Sequence, residues 1–381
     1  MDKSKFSERS PGNLFPLGED VFAFVPHPLP PQLDLDHELS KLLADAALAL
    51  GRLDGLGHRL PDPHLLIRPF SRIEAVGSSR IEGTQASLLD LYAAEAEVPL
   101  FPPPEIKDDA LETRNYVRAL EKSVAMLQEL PISVRLLRRA HQTLMEGVRG
   151  KNRGPGELRR GQNWIGGRDL HSAAYVPPPH HLVPDLLASL ERYINQESGR
   201  YHPLIDLALV HYQFEAIHPF WDGNGRIGRL LITLMLLDKG LLSQPLLYLS
   251  AYFENTREDY YRLLRQVTYE GDWRSWVAYF LRGVLTQAND ALERSARLVE
   301  LRERYRSTLQ EAHATSTLLS VVDHLFSRPV FTVRQLEAEL GISFATANKA
   351  VARLTQAGIL TELTGLRRNR LFAANEVLKL L

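Results

Sequence analysis

Twelve residues in the middle of the chain limit what it can fold into: His218-Pro219-Phe220-Trp221-Asp222-Gly223-Asn224-Gly225-Arg226-Ile227-Gly228-Arg229. Upstream, Leu207, Val210, Phe214 and Ile217 recur at helical spacing, and downstream Ile227, Leu230, Leu231, Leu234 and Met235 do the same. The pattern predicts a helix–loop–helix with the Gly-Asn-Gly segment opening the second helix. Glycines there let the backbone turn left-handed and come close to a ligand. Their amides, with the unpaired N–H groups of a helix start, form an anion nest. Asp222 beside that nest is suited to Mg²⁺ held jointly with nucleotide phosphates. Arg226 and Arg229 stand one turn apart, so both can reach phosphate oxygens. His218, with an ordinary pKa of about 6.5, can accept a proton at neutral pH. These parts can hold a triphosphate and deprotonate a hydroxyl beside it. No Gly-Lys-Ser/Thr follows the glycines, so the loop is not a Walker A motif.

The segment resembles the signature of the Fic family, His-Pro-Phe-x-Asp/Glu-Gly-Asn-Gly-Arg-x-x-Arg, at every defining position. The resemblance implies transfer of AMP from ATP to a Ser, Thr or Tyr hydroxyl of a target protein. It makes His218 the general base and Asp222 the Mg²⁺ ligand. Gly223, Asn224, Gly225 and Gly228 fall among the ATP-binding positions, with Arg226 and Arg229 on the β- and γ-phosphates. Doc relatives, which phosphorylate, carry a Lys where this chain has Gly225.

Far upstream, Ser78-Ser79-Arg80-Ile81-Glu82-Gly83 is similar to the family's inhibitory motif, Ser/Thr-x-x-x-Glu-Gly/Asn. By that resemblance Ser78, Glu82 and Gly83 belong to an inhibitory helix. Glu82 would pair with Arg229, removing the cation that orients the γ-phosphate. Displacing reacting atoms by ~1 Å costs about a hundredfold in rate. In the family the same Glu also helps water remove AMP; for Glu82 this stays open. Residues 162–167 and 175–179 read as two short extended pieces around a polar turn. They resemble the family's β-hairpin flap, which pins a target peptide by strand addition, with Ile165 and Gly166 nearest the nucleotide. Tyr260 and Tyr261 resemble a position lining the adenine pocket.

The fold expected is mainly α: a helical core with a β-hairpin flap, an N-terminal helical domain and a C-terminal winged helix. A length of 381 residues accommodates two or three domains. The expected divisions are 1–105, the N-terminal domain with the inhibitory helix; 106–289, the catalytic core; 290–314, a connector helix; and 315–381, the winged helix. Helical patterning starts near Leu35 and runs to about Leu50. Phe15 to Pro31 reads as extended, proline-rich backbone, and a proline cluster at 99–104 precedes a helix from Leu111 to Met126. The connector's apolar face is read as Leu292, Ala296 and Val299.

A net charge of −1 gives no global pull toward nucleic acid or membrane. The absence of cysteine excludes disulfides and thiol chemistry and fits the cytoplasm. No signal-peptide pattern is read at the N-terminus, and the apolar run at Leu230 to Leu237 is far short of a membrane span. None of the histidines has zinc-site spacing, and His211 reads as core.

Leu318 to Phe326, Gln335 to Leu340 and Phe344 to Ala357 read as three helices, the last capped by Ser343 and stopped by Gly358. Two strands follow, Ile359 to Leu363 and Arg370 to Phe372. In a winged helix, Thr346, Asn348 and Lys349 would face a major groove, with Arg367, Arg368 and Arg370 near phosphates. Such units also dock proteins, so DNA and protein both stay open as partners there, as do self-modification and a homodimer. A second reading of the whole chain is a DNA-binding regulator whose core senses nucleotide.

Overall fold

The computed structural model describes residues 1–18, 20–59, 64–97, 104–148, 152–195 and 200–381. Two strands come first, β1 (Gly12–Gly18) and β2 (Val21–Pro26), paired as an antiparallel hairpin. Helices α1 (His37–Arg59), α2 (His64–Ile81), α3 (Leu88–Glu95), α4 (Pro104–Leu127) and α5 (Val134–Leu144) follow. After the segment carrying residues 152–182 come α6 (Val183–Ile194), α7 (Pro203–Ile217), α8 (Asn224–Asp238), α9 (Leu249–Asn255), α10 (Arg257–Glu270) and α11 (Trp273–Glu311). The C-terminal unit is α12 (Ser316–Ser327), β3 (Val330–Thr332), α13 (Val333–Leu340), α14 (Phe344–Gln356), β4 (Thr361–Glu362), β5 (Leu371–Ala373) and α15 (Asn375–Leu380). The molecule is mainly α, with two small antiparallel sheets.

Helix α7 is the axis of the core. Apart from Pro203, Asp206 and Glu215 all its residues are buried, as expected of a helix apolar on every side. Trp276 on α11 is fully buried against it and donates its indole N–H to the Ala208 carbonyl at 2.8 Å. Helix α2 packs on α9 so closely that a Cβ at Gly77 would stand 3.1 Å from the Ala251 nitrogen. The buried Glu74 fixes that contact, accepting from the Ser250 amide at 2.9 Å and from the Tyr116 hydroxyl of α4 at 3.1 Å.

Several expectations change. The proline-rich stretch at 15–31 holds a hairpin. Its inner strand places Ala23 and Phe24 in the core, and the Phe24 amide bonds the Val176 carbonyl at 2.9 Å. Pro16 sits on the more exposed outer strand, where a missing N–H is tolerated. The prolines at 99–103 lie outside the described residues, and Pro104 opens α4.

The division at 289/290 falls inside α11, which runs unbroken for 39 residues. Its buried stripe there is Ala291, Ser295, Leu298 and Leu301, one position off the face read from the sequence. Ala296 and Val299 are exposed. Ser295, a polar residue on the buried stripe, hid that face, and Leu292 and Val299 drew the reading one position over.

In the C-terminal unit the sheet order is β3-β5-β4. Strand β3 and the closing helix α15 are additions to the predicted pattern. Ser343 caps α14 through the Thr346 amide, and Gly358 follows it at φ +75°. Tyr92 and Ala93 of α3 pack on Val330, Leu371 and Ala373, so the sheet leans on the helix that follows α2.

Candidate active site

Helix α7 ends at His218, which is left-handed at φ 49° and ψ 61°; Pro219 bars continuation of the helix. Holding a non-glycine residue there costs roughly 1–2 kcal/mol, so the surroundings must impose it. Four side chains do. Arg159 donates from Nε to the His218 carbonyl at 2.9 Å. Asn224 accepts from the Phe220 amide at 2.8 Å and returns its own N–H to the Phe220 carbonyl at 2.9 Å. Asn163 donates to that same carbonyl at 3.1 Å. His141 stacks on the Phe220 ring at 3.9 Å, its Nε2 3.0 Å from the Asp222 carbonyl, while its Nδ1 accepts from the Gly156 amide.

The loop then delivers Gly223, left-handed at φ 74°, as the N-cap of α8. Beyond it, a Cβ at Gly225 would meet a Glu82 carboxylate oxygen at 2.2 Å. The anion nest at the start of α8 therefore has a carboxylate from α2 lying over it. Glu82 Oε1 is 2.6 Å from Arg229 Nη2. Arg229 is buried and donates further to the Ser78 hydroxyl and carbonyl, both at 2.9 Å. Burial opposes the Glu82 charge, but Arg229, with Arg226 and His218 farther off, holds its carboxyl below the usual range.

Asp222 is about half exposed; its Oδ1 accepts from the Gly223 amide at 2.6 Å and lies 3.6 Å from Arg226. Among the described residues no group of three or more acidic, histidine or cysteine side chains could hold a metal ion. One exposed carboxylate beside an anion nest fits Mg²⁺ that takes its other oxygens from water and phosphates.

His218 is pushed down to about 4, first by burial and then by the positive charge of Arg159. Its Nδ1 is buried beside the Glu215 carbonyl without completing a hydrogen bond. A neutral imidazole is what a base requires. Under it, burial pushes the Glu215 carboxyl up to about 8, Arg229 opposing and Glu82 assisting.

Other predicted positions are already engaged within the chain. Asn224 is buried with both ends of its amide used in shaping the loop. Gly228 faces α7, where a Cβ would meet Glu215 at 2.2 Å, so it is a packing glycine. Arg226 is buried and bonded to Glu112 on α4 at 3.1 Å. Tyr260 is buried among Phe253, His211 and Trp276, its hydroxyl 2.8 Å from His211 Nε2; Tyr261 is only partly buried and feels both Glu82 and Arg229. His211 is a core residue, as its apolar helix indicated, and its Nδ1 lies 3.2 Å from the Gly228 carbonyl.

The two extended pieces meet at a single antiparallel bridge, Ile165 to Tyr175, and Gly166 turns at φ 66°. Trp164, Ile165 and Trp221 are exposed around it. Sequence reasoning missed Arg159, His141, Asn163, Glu112 and Glu215. Arg159, His141, Asn163 and Glu112 act through partners distant in sequence, and of the five only Asn163 fell within a segment the sequence had marked, as part of the flap and not for its bond to the loop.

In the C-terminal unit, Thr346 Oγ1 is 2.9 Å from the capping Ser343, and Arg370 bonds Asn348 at 3.3 Å and approaches Glu362 at 3.6 Å. Lys349, Arg367 and Arg368 are exposed. No helix among the described residues is long and apolar enough to cross a membrane.

Residues 40–125 match the family model described as Fic/DOC family N-terminal, and residues 131–236 the one described as Fic/DOC family. The protein adenylyltransferase Fic of Drosophila yakuba is 31% identical over 161 residues, and that of Drosophila melanogaster 30%. Each match takes in 41% of this chain and 29% of the relative, so the chain spans less than a third of those relatives. Among solved structures, a Fic family protein from Desulfovibrio desulfuricans G20 shares the fold with a TM-score of 0.56 at 21% identity, over 91% of this chain and 98% of its own. Fic-1 from C. elegans (residues 134–508) does so at 0.54 and 22% identity, over 67% and 73%.

Proposed function

Because the chain belongs to the Fic/DOC family, we propose that it is a protein adenylyltransferase, joining AMP from ATP to a Ser, Thr or Tyr hydroxyl of a target protein and restrained by its own Glu82. One observation carries the reading: the nest at the start of α8 is complete, and the anion over it is a carboxylate of the same chain, 2.6 Å from Arg229. With Glu82 withdrawn, the α8 amides and Arg229 are free to take phosphate oxygens, and Asp222 to take Mg²⁺. The metal ion, when bound, neutralises phosphate charge and orients the triphosphate.

His218 stands at the end of α7 with a ring kept neutral by burial. It accepts the proton of the acceptor hydroxyl as that oxygen bonds to the α-phosphorus. Pyrophosphate leaves from the opposite side, and AMP remains esterified to the target. Residues 162–179 hold the target backbone by strand addition at Ile165. Glu82 stands near enough to His218 to be felt by it, which supports a further role in removing AMP.

We read the C-terminal unit as a winged helix, from its helix–strand–helix–helix–hairpin order, and place the protein in the cytoplasm on its lack of cysteine. The regulator reading has less support, since a nucleotide sensor has no need of a half-buried neutral base. Incubation with Mg²⁺ and α-labelled ATP tests the proposal. Glu82→Gly labels itself or a co-purified protein, and adding His218→Ala abolishes the label. No label from the Glu82 variant would sink the enzyme reading.

A further inference from the structure

We propose that Arg159 is a positioning residue, locking the flap to His218 so that a hydroxyl carried on the flap meets the imidazole at one fixed distance. The inference rests on the adenylyltransferase reading and deepens it.

Arg159 is 2% exposed, and no carboxylate of the described residues forms an ion pair with it. Its guanidinium is used wholly on carbonyls. Nη1 donates to Gly161 at 3.1 Å, and Nη2 to Pro178 at 2.5 Å and Ile217 at 3.4 Å. Nε donates to His218 at 2.9 Å, and the Arg159 amide bonds the Pro219 carbonyl at 3.0 Å. Gly161 and Pro178 are the two stems of the flap, whereas Ile217, His218 and Pro219 are the turn that presents the base. One side chain thus joins both limbs of the flap to the backbone of the base.

A buried charge without a counterion is unfavourable unless its donors are all satisfied. An apolar side chain would fill the same space without that cost. What the apolar side chain lacks is a planar fork of five donors able to serve carbonyls in several directions. Lysine has the charge but not the fork. The His218 carbonyl points into this fork because the residue is left-handed. Without the fork, that carbonyl is buried and unpaired, and the turn is free to relax toward extended backbone, carrying the ring away. A second tie, from the Tyr175 hydroxyl to the Ala216 carbonyl at 2.7 Å, holds the flap but not the base itself.

The test uses the full chain in the Glu82→Gly background, with Arg159→Lys and Arg159→Ala. AMP incorporation into the protein itself is measured against the concentration of α-labelled ATP. In both variants kcat falls by about a hundredfold, while KM for ATP stays within about threefold, since the phosphates are taken by the start of α8 and Arg229, which Arg159 does not touch. Millimolar guanidinium restores part of the rate of Arg159→Ala, and ethylammonium does not. Hydrogen exchange in Arg159→Lys shows 161–178 and 217–220 losing protection together, with the C-terminal unit unchanged.

A kcat within about twofold of the parent, or exchange that changes in one segment alone, would overturn the proposal. If Arg159→Ala does not fold, Arg159→Lys carries the test. If the Glu82→Gly parent itself takes up no AMP, the enzyme reading fails, and hydrogen exchange still decides whether Arg159 couples flap and turn.

Discussion

At the scale of single residues, the site is a set of ionisable groups whose surroundings push them apart. Glu215 and His218 are one turn apart on α7, yet both are held neutral near pH 7, the acid by a raised pKa and the base by a depressed one. The unfolded chain ionises a glutamate at about 4.3, whereas folding raises Glu215 to about 8. Between those values the unfolded state has lost its proton and the folded state has not, so Glu215 withdraws stability as pH rises through that window. Glu215→Gln is free of this, and its stability relative to the parent should improve by about 1–3 kcal/mol between pH 5 and pH 8. Denaturant midpoints at both pH values check it; a constant difference would contradict the raised pKa. For His218 the sign is opposite. Its folded pKa is about 4, so it stays deprotonated above pH 6, and the rate of Glu82→Gly should be flat from pH 6 to 8. A limb titrating at the ordinary histidine value would show that the ring is solvated. Glu82, depressed by Arg229, keeps its ion pair above the unfolded carboxylate pKa and loses it only as pH falls below that value. Mild acid therefore leaves the Glu82–Arg229 pair in place.

At the scale of elements, the two helices around the loop were legible because their apolar residues keep a 3.6-residue period on both sides of a glycine-rich break. The flap was legible as two extended pieces, though only one bridge forms. Other elements were hidden for definite reasons. In β1 and β2 the prolines outweighed the apolar run from Val21 to Val25, in which the adjacent Ala23 and Phe24 are both buried. In α11 the contact stripe is made of Ala291 and Ser295 as much as Leu298, so apolar weight pointed to the neighbouring face. This last difference can be tested directly. Leu298→Ala should cost about 2–4 kcal/mol, whereas Val299→Ala, on an exposed position, should stay within about 0.5 kcal/mol. Equal effects in thermal or denaturant unfolding would mean the stripe is misplaced. Within the site, Asn224 at the start of α8 and Tyr260 on α10 already have their polar atoms engaged inside the protein. A motif gives residue types, but not which of them are used up in holding one another.

At the scale of the whole molecule, α2 has two sets of neighbours. Its C-terminal end carries Ser78 to Arg229, and Glu82 follows it. Its N-terminal end meets the C-terminal unit, where Arg68 lies 3.4 Å from Glu339 of α13. Just after it, the buried Arg72 pairs with Glu95 at 2.9 Å, and the Glu95 carbonyl accepts from Gln335 at 3.2 Å. The apolar part of that junction is Tyr92 against Val330 and Leu371. Tyr92→Ala should therefore destabilise by about 3–5 kcal/mol and split the calorimetric transition, the C-terminal unit melting first. A single transition at unchanged temperature would show that the junction is incidental. The carboxylate lying over Gly225 has one more consequence. A group carried on the same chain competes at an effective concentration set by the chain and not by the cell. If nucleotide binds there as proposed, soluble nucleotide contends with a rival that cannot be diluted, and pulling the tether, not supplying more fuel, is then the way to switch the molecule on.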